Sequence, residues 1–203
     1  MKKLFFLISF LSFLLPGFSQ TTPDGILAKA VGLITQSKGV EARFSITNSG
    51  YSGSGFIKTS GSKFHVTLPE IEVWYNGKDL YTLNKNTEET TVVYPTVEEL
   101  AESNPLAYVT GASKQYNVAY STVKKKDRYV LELTPKKRGG DIKRITLTLR
   151  KTDYYPEKIV VEPVSGTPIA ADIKSFKTGV VSGSNEFEYP KSKFPKYELV
   201  DLR

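Results

Sequence analysis

Side chains able to do acid–base or nucleophilic chemistry are few in this sequence, and they form no set. The single histidine, His65, stands in Lys63-Phe64-His65-Val66-Thr67-Leu68. There Phe64, Val66 and Leu68 share one face of a strand, and His65 falls on the polar side. A lone strand histidine is expected at the surface rather than as a base. The serines of Gly50-Tyr51-Ser52-Gly53-Ser54-Gly55 do not meet the nucleophile-elbow pattern, and no second histidine exists to activate them. The same glycines make neither a dinucleotide fingerprint nor a phosphate loop, because no helix follows them. Glycine in a strand instead marks a bend or a close approach. With no cysteine, a metal site would need clustered carboxylates, and Glu98, Glu99 and Glu102 read as the solvated face of a helix. Nothing singles out a carboxylate pair for glycoside chemistry. No catalytic residue, metal ligand or cofactor is therefore assigned, and the protein is not expected to be an enzyme.

The elements around these residues are mostly strands. From Gly50 to Tyr94 the chain reads as an antiparallel meander. Asn76-Gly77 separates Ile71-Glu72-Val73-Trp74-Tyr75 from Leu80-Tyr81-Thr82-Leu83, and a type I′ turn there needs positive φ at both central residues. A second turn at Asn84 to Glu88 leads to Thr90-Thr91-Val92-Val93-Tyr94. Before the meander, Thr22-Pro23-Asp24 starts an amphipathic helix expected over Pro23 to Lys38, with Gly39 to end it. Val40, Ala42, Phe44 and Ile46 then alternate as a half-buried strand, and Asn48 to Gly55 turns the chain. After the meander, Thr96-Val97-Glu98-Glu99 is a capping box that opens a short helix, with Asn104-Pro105 behind it. Strands resume around Tyr116 to Tyr120, Tyr129 to Leu133, Ile145 to Leu149, Ile159 to Val161 and Ile173 to Phe176. Phe194 to Asp201 is expected to add an edge strand. About ten or eleven strands exceed what an open sheet carries without curling.

The 203 residues suit one domain. Lys2 and Lys3, the twelve-residue apolar run Leu4 to Leu15, and small residues at Gly17 and Ser19 predict a cleavable secretory signal over residues 1–19. The domain then occupies 20–203, with Gln20 first. The run is too short to span a bilayer. Without cysteine the exported protein has no disulfide and no acylation site of its own, which points to a soluble periplasmic protein. Of 28 basic side chains, loss of Lys2 and Lys3 leaves 26 against 21 acidic, a mild +5. The basic clusters Lys124-Lys125-Lys126 and Lys136-Lys137-Arg138 sit beside turns. They read as solvated loop tips, and export argues against nucleic acid.

In order and spacing, the sequence resembles the LolA-like family of bacterial periplasmic lipoprotein carriers. The resemblance rests on Gly53-Ser54-Gly55-Phe56-Ile57-Lys58, Asn76-Gly77-Lys78-Asp79-Leu80-Tyr81, Asn104-Pro105-Leu106, Tyr129 to Lys136, and the closing Val200-Asp201. It implies a mainly β fold with an α lid: a single curved antiparallel sheet forming an incompletely closed β-barrel of about eleven strands, covered by short helices. The cavity between sheet and lid would take lipoprotein acyl chains. In that picture Phe44, Ile46, Ile57, Phe64 and Val66 line it from the first strands, and Leu133, Ile145, Leu147 and Ile159 from the later ones. Ile26, Val31, Ile34, Leu100 and Leu106 belong to the lid. The implied partners are acylated lipoproteins, an inner-membrane lipoprotein-releasing ABC transporter and an outer-membrane acceptor, with the carrier a monomer. A lipid- or lipoprotein-sensing module acting through a membrane partner is the alternative. One departure stands out. Family carriers hold the lid with an arginine just after the strand matching Phe56-Ile57-Lys58, where this chain has Thr59 or Ser60, with Lys58 the nearest cation.

Overall fold

A computed structural model describes residues 21–203 apart from residue 184. The expected signal over 1–19 and its cleavage point before Gln20 lie outside the described residues.

Helix α1 (Pro23–Thr35) begins as its sequence dictates. Thr22 Oγ1 accepts from the Gly25 amide at 3.1 Å, Pro23 occupies the first turn, and Asp24 complements the helix dipole. The helix stops one turn before the expected Lys38, capped by Gln36. Gly39 is therefore not its stop signal. A Cβ at Gly39 would lie 2.5 Å from the Val180 carbonyl oxygen and 2.6 Å from that of Thr59. The glycine lets the chain pass between two backbones.

Strands β1 (Val40–Asn48), β2 (Tyr51–Ser60), β3 (Lys63–Thr67), β4 (Ile71–Tyr75), β5 (Leu80–Asn84) and β6 (Glu89–Val93) form the meander. Only Ser49-Gly50 turns the chain between β1 and β2, with Gly50 at φ 83°, and the stretch to Gly55 is already strand. The Asn76-Gly77 hairpin is present, but its turn is not type I′. Gly77 alone has positive φ, 99°, while Asn76 Oδ1 accepts from the amides of Lys78 (3.0 Å) and Asp79 (2.9 Å). An Asx-type side-chain bond closes the loop instead of a left-handed asparagine.

The capping box forms as expected at α2 (Val97–Ser103): the Glu99 amide donates to Thr96 Oγ1 at 3.2 Å, and Glu99 Oε2 accepts from the Thr96 amide at 2.7 Å. Two single-turn helices follow, α3 (Ala107–Thr110) and the unanticipated α4 (Ala112–Gln115). Strands β7 (Tyr116–Tyr120), β8 (Arg128–Pro135), β9 (Ile142–Arg150), β10 (Pro156–Pro163) and β11 (Ile169–Thr178) complete a second meander. A returning segment then leads to β12 (Glu198–Asp201).

The result is one twelve-stranded sheet in the order β12-β6-β5-β4-β3-β2-β1-β11-β10-β9-β8-β7. That is one strand more than expected, and β12 pairs parallel to β6, which breaks the purely antiparallel pattern. The physical reason is the long return: the chain crosses a sheet face before reaching the edge, so no hairpin imposes antiparallel pairing. Edges β12 and β7 do not pair with each other, so the barrel stays open. In the chain, α2 to α4 join β6 to β7, and α1 packs on α3, α4 and β7.

Candidate functional site: the concave face and its lid

Register assembles the apolar alternation of each strand onto one concave surface. Ile57 faces Val66, and Val66 faces Val73. Phe64 faces Tyr75, which faces Leu80. On the other wing, Ile159 faces Leu147 and Leu147 faces Leu131, with Ile145 opposite Leu133. Phe44 lies opposite Gly55, where its ring fills the space a side chain would need.

All the predicted chamber residues fall in this one cluster. Phe44, Ile57, Phe64, Val66, Leu133, Ile145, Leu147 and Ile159 are buried, and Ile46 is half-buried against them. Of the predicted lid residues, Ile26, Ile34 and Leu106 are buried in the same cluster, while Val31 and Leu100 pack against it half-buried. Ile57, Leu133, Ile145 and Leu147 are all 0% exposed, so no water-sized space borders them. The chamber is closed here, filled by the chain's own side chains. Leu131 and Leu149, also 0% exposed, belong to the same surface. The alternation that marked Leu133 and Leu147 carried their signal too.

The lid is held without the family's arginine. Thr59 is buried, and Ser60 Oγ donates to the Lys38 carbonyl at 3.0 Å, tying the end of β2 to the segment after α1. Lys58 points to the opposite, convex face and pairs with Glu186 at 3.0 Å, so it is no latch. Instead Lys29 Nζ on α1 donates to the Tyr154 hydroxyl at 2.9 Å and lies over its ring. That hydrogen bond holds the Lys29 ammonium above its ordinary pKa. The Tyr120 hydroxyl donates to the Thr21 carbonyl at the start of the helix.

The convex face holds a second apolar cluster that the sequence reasoning missed. Trp74, Leu83 and Val92 are buried on the side away from the lid. The returning segment covers Trp74: Tyr189 meets it edge-on at 5.4 Å, stacks on Tyr81 at 5.1 Å, and bonds Thr90 Oγ1 at 3.0 Å. Phe194 closes on Trp74 at 6.1 Å. The available signal was adjacent apolar pairs, Val73-Trp74 and Val92-Val93, which no one-sided strand needs. His65 is on the expected face but is not a free surface residue. Its ring stacks on Trp74 at 5.0 Å, and Nε2 lies 2.9 Å from Glu72. Around them a cavity of about 430 Å³ is lined by His65, Glu72, Trp74, Glu186 and Glu188. Burial opposes the charge on Glu186, but Lys58 and His65 outweigh it and hold its carboxyl below the usual range. A second hollow of about 660 Å³ runs along the outside of α1 beside Tyr154. Among the described residues no group of three or more His, Asp or Glu is placed to hold a metal, and no helix is long and apolar enough to cross a membrane.

Several solved structures are similar to this chain. A conserved protein of Thermus thermophilus superposes with a TM-score of 0.61 at 12% identity, over 88% of this chain and 98% of that one. An outer membrane lipoprotein-sorting protein domain from Vibrio parahaemolyticus matches with a TM-score of 0.48 at 10% identity, over 87% and 99%. A structure of the MucA/MucB complex of Pseudomonas aeruginosa matches with a TM-score of 0.43 at 13% identity, over 81% and 59%. No curated protein matches the chain in sequence. Residues 17–163, however, match the family described as outer membrane lipoprotein carrier protein LolA. With most of its length matched and its sheet curled under a helical lid, the chain belongs to the LolA outer membrane lipoprotein carrier family.

Proposed function

We propose that this protein is a periplasmic carrier, exported with loss of residues 1–19, whose domain over 20–203 shields lipoprotein acyl chains between the inner and outer membranes. The observation that carries this is the continuous apolar concave face, covered by helices that, among the described residues, contacts such as those of Lys29 with Tyr154 and Ser60 with the Lys38 carbonyl fasten to the barrel. Acyl chains enter when α1 and the α2–α4 segment lift, and the cargo takes the place of the lid side chains. Re-exposing Ile26, Leu27 and Ile34 costs roughly 5–9 kcal/mol at about 1.5–3 kcal/mol for each large side chain. An acyl chain of about sixteen carbons gains on the order of 12 kcal/mol at about 0.8 kcal/mol per buried methylene. The two magnitudes are close enough for loading and unloading to be reversible. Nothing is hydrolysed, and direction comes from an ABC transporter that loads the carrier and an outer-membrane acceptor that empties it.

The test is saturable binding of a fluorescent fatty-acid analogue to the folded exported protein. Leu147→Lys should abolish that binding, with folding checked by circular dichroism. Ile145→Ala, which enlarges the chamber without adding charge, should preserve it. Mass spectrometry of the native protein should find acylated species. A folded protein that takes up no probe and carries no acylated species refutes the carrier function. Recovery of a membrane regulator in place of lipoproteins would favour a sensor.

A further inference from the structure

The hairpin alternation of the sheet brings five loop tips to one rim of the barrel, and three of them adjoin: Ser49-Gly50 between β1 and β2, residues 136–141 between β8 and β9, and residues 164–168 between β10 and β11, while residues 68–70 and 85–88 lie beyond β2 along the same rim. Two contacts fasten the three side by side. The Val164 amide donates to the Asp141 carbonyl at 2.8 Å, and the Thr167 hydroxyl donates to Asn48 Oδ1. The stretch formed by these three tips is cationic and greasy at once, whereas the farther tips carry exposed Glu70 and Glu88 beside Lys85. Lys136, Lys137 and Arg138 are exposed on the three-tip stretch, and Asp141 is the one carboxylate within the 136–141 tip. Val164, at 66% exposure, and Ile169, at 42%, stand on the adjoining tip. The same rim carries the base of the lid, because the Lys136 amide donates to the carbonyl of Gln115, the last residue of α4, at 2.9 Å.

We propose that this stretch of the rim docks on the surface of an anionic phospholipid bilayer, with the basic tip among the headgroups and Val164 and Ile169 at their boundary with the acyl chains. Two weak signals on one edge suit reversible membrane contact. A basic side chain near an anionic surface and a shallowly inserted aliphatic each contribute a little, and neither anchors alone. Charge complementarity selects the bilayer over an apolar partner, and the small exposed aliphatics on a convex tip select it over a protein groove. The other basic cluster, Lys124-Lys125-Lys126, belongs to the opposite end of β8, a strand of 8 residues. It is roughly 25 Å away, beyond the screening length at physiological salt, and takes no part in the contact.

The inference extends the carrier function but is tested apart from it, since the vesicles contain no lipoprotein and the readout is not cargo uptake. The exported protein is sedimented with vesicles of phosphatidylglycerol mixed with phosphatidylcholine, and with phosphatidylcholine alone. Binding is expected only to the anionic vesicles and should weaken as salt rises. The exposed triple variant Lys136→Gln, Lys137→Gln and Arg138→Gln should lower partitioning on the order of 100-fold, from about five-fold per charge. Val164→Ser with Ile169→Ser should lower it several-fold. Lys124→Gln, Lys125→Gln and Lys126→Gln together should leave it within about two-fold, since that cluster lies beyond a screening length from the rim. Equal losses from the two triple variants would mean binding by net charge alone and would overturn the proposal. No binding to anionic vesicles would overturn it too and leave an acidic protein as the occupant.

Discussion

Replacing Gly55 by alanine tests whether the concave face is packed as closely as its burial indicates. Gly55 has no positive φ, so its backbone accepts alanine without strain. The obstacle is the facing strand. An ideal Cβ there lies 2.4 and 2.5 Å from two ring carbons of Phe44 and 2.8 Å from Leu68 Cδ2. Carbon atoms rest at about 3.5–4.0 Å, so the ring must move by about 1 Å. Phe44 is only 1% exposed and has no empty space to move into. Overpacking of this kind costs about 1–3 kcal/mol, and loss of glycine's unfolded-state freedom returns about 0.4–1 kcal/mol. A net loss of about 1–2 kcal/mol should lower Tm by roughly 2–8 °C in a domain of this size. Thermal and urea unfolding followed by circular dichroism read the change. The decisive arm is a cycle with Phe44→Leu, whose shorter side chain vacates the site. In that background Gly55→Ala should be neutral or stabilising, a coupling of about 1–3 kcal/mol. Equal destabilisation in both backgrounds would refute the close approach as its cause. In the single variant the displaced ring should also crowd the chamber and reduce fatty-acid probe capacity.

Two further outcomes concern the returning segment, and Trp74, the one tryptophan, reports both. Tyr189→Ala removes the ring that covers it and the hydroxyl bonded to Thr90, so Trp74 emission should shift to the red while far-ultraviolet dichroism of the sheet persists; an unchanged spectrum would mean that Tyr189 does not shield it. Acid should loosen the same segment: Glu186 titrates below its ordinary 4.5, and hydrogen bonds from Arg203 hold Asp201 at about 2. A depressed folded-state pKa contributes stability above the unfolded value and loses it as pH falls through the folded one. Trp74 emission should therefore redden progressively from about pH 4.5 toward pH 2, and Glu186→Gln should remove the upper part of that change; a transition centred above pH 5 would contradict it.

What the sequence determined by itself is what local chemistry decides. Thr22 and Thr96 cap helices because a hydroxyl before a helix satisfies an amide that the first turn leaves unpaired, whatever lies around it. The alternations through Phe64, Leu133, Ile145 and Leu147 reached the concave face because a strand has only two sides and one must leave water. The tertiary structure decided what depends on chain segments far apart. Gly39 is set by the carbonyls of Thr59 and Val180, and Gly55 by the ring of Phe44, which no neighbour in sequence announces. His65 and Trp74 are covered because residues more than a hundred positions later fold back over them and enter the sheet edge in parallel as β12. The contacts that hold the lid, from Lys29 to Tyr154 and from Ser60 to the Lys38 carbonyl, likewise exist only once the sheet has curled. Long-range pairing carries no signature in a local window, because each partner alone reads as an ordinary solvated side chain.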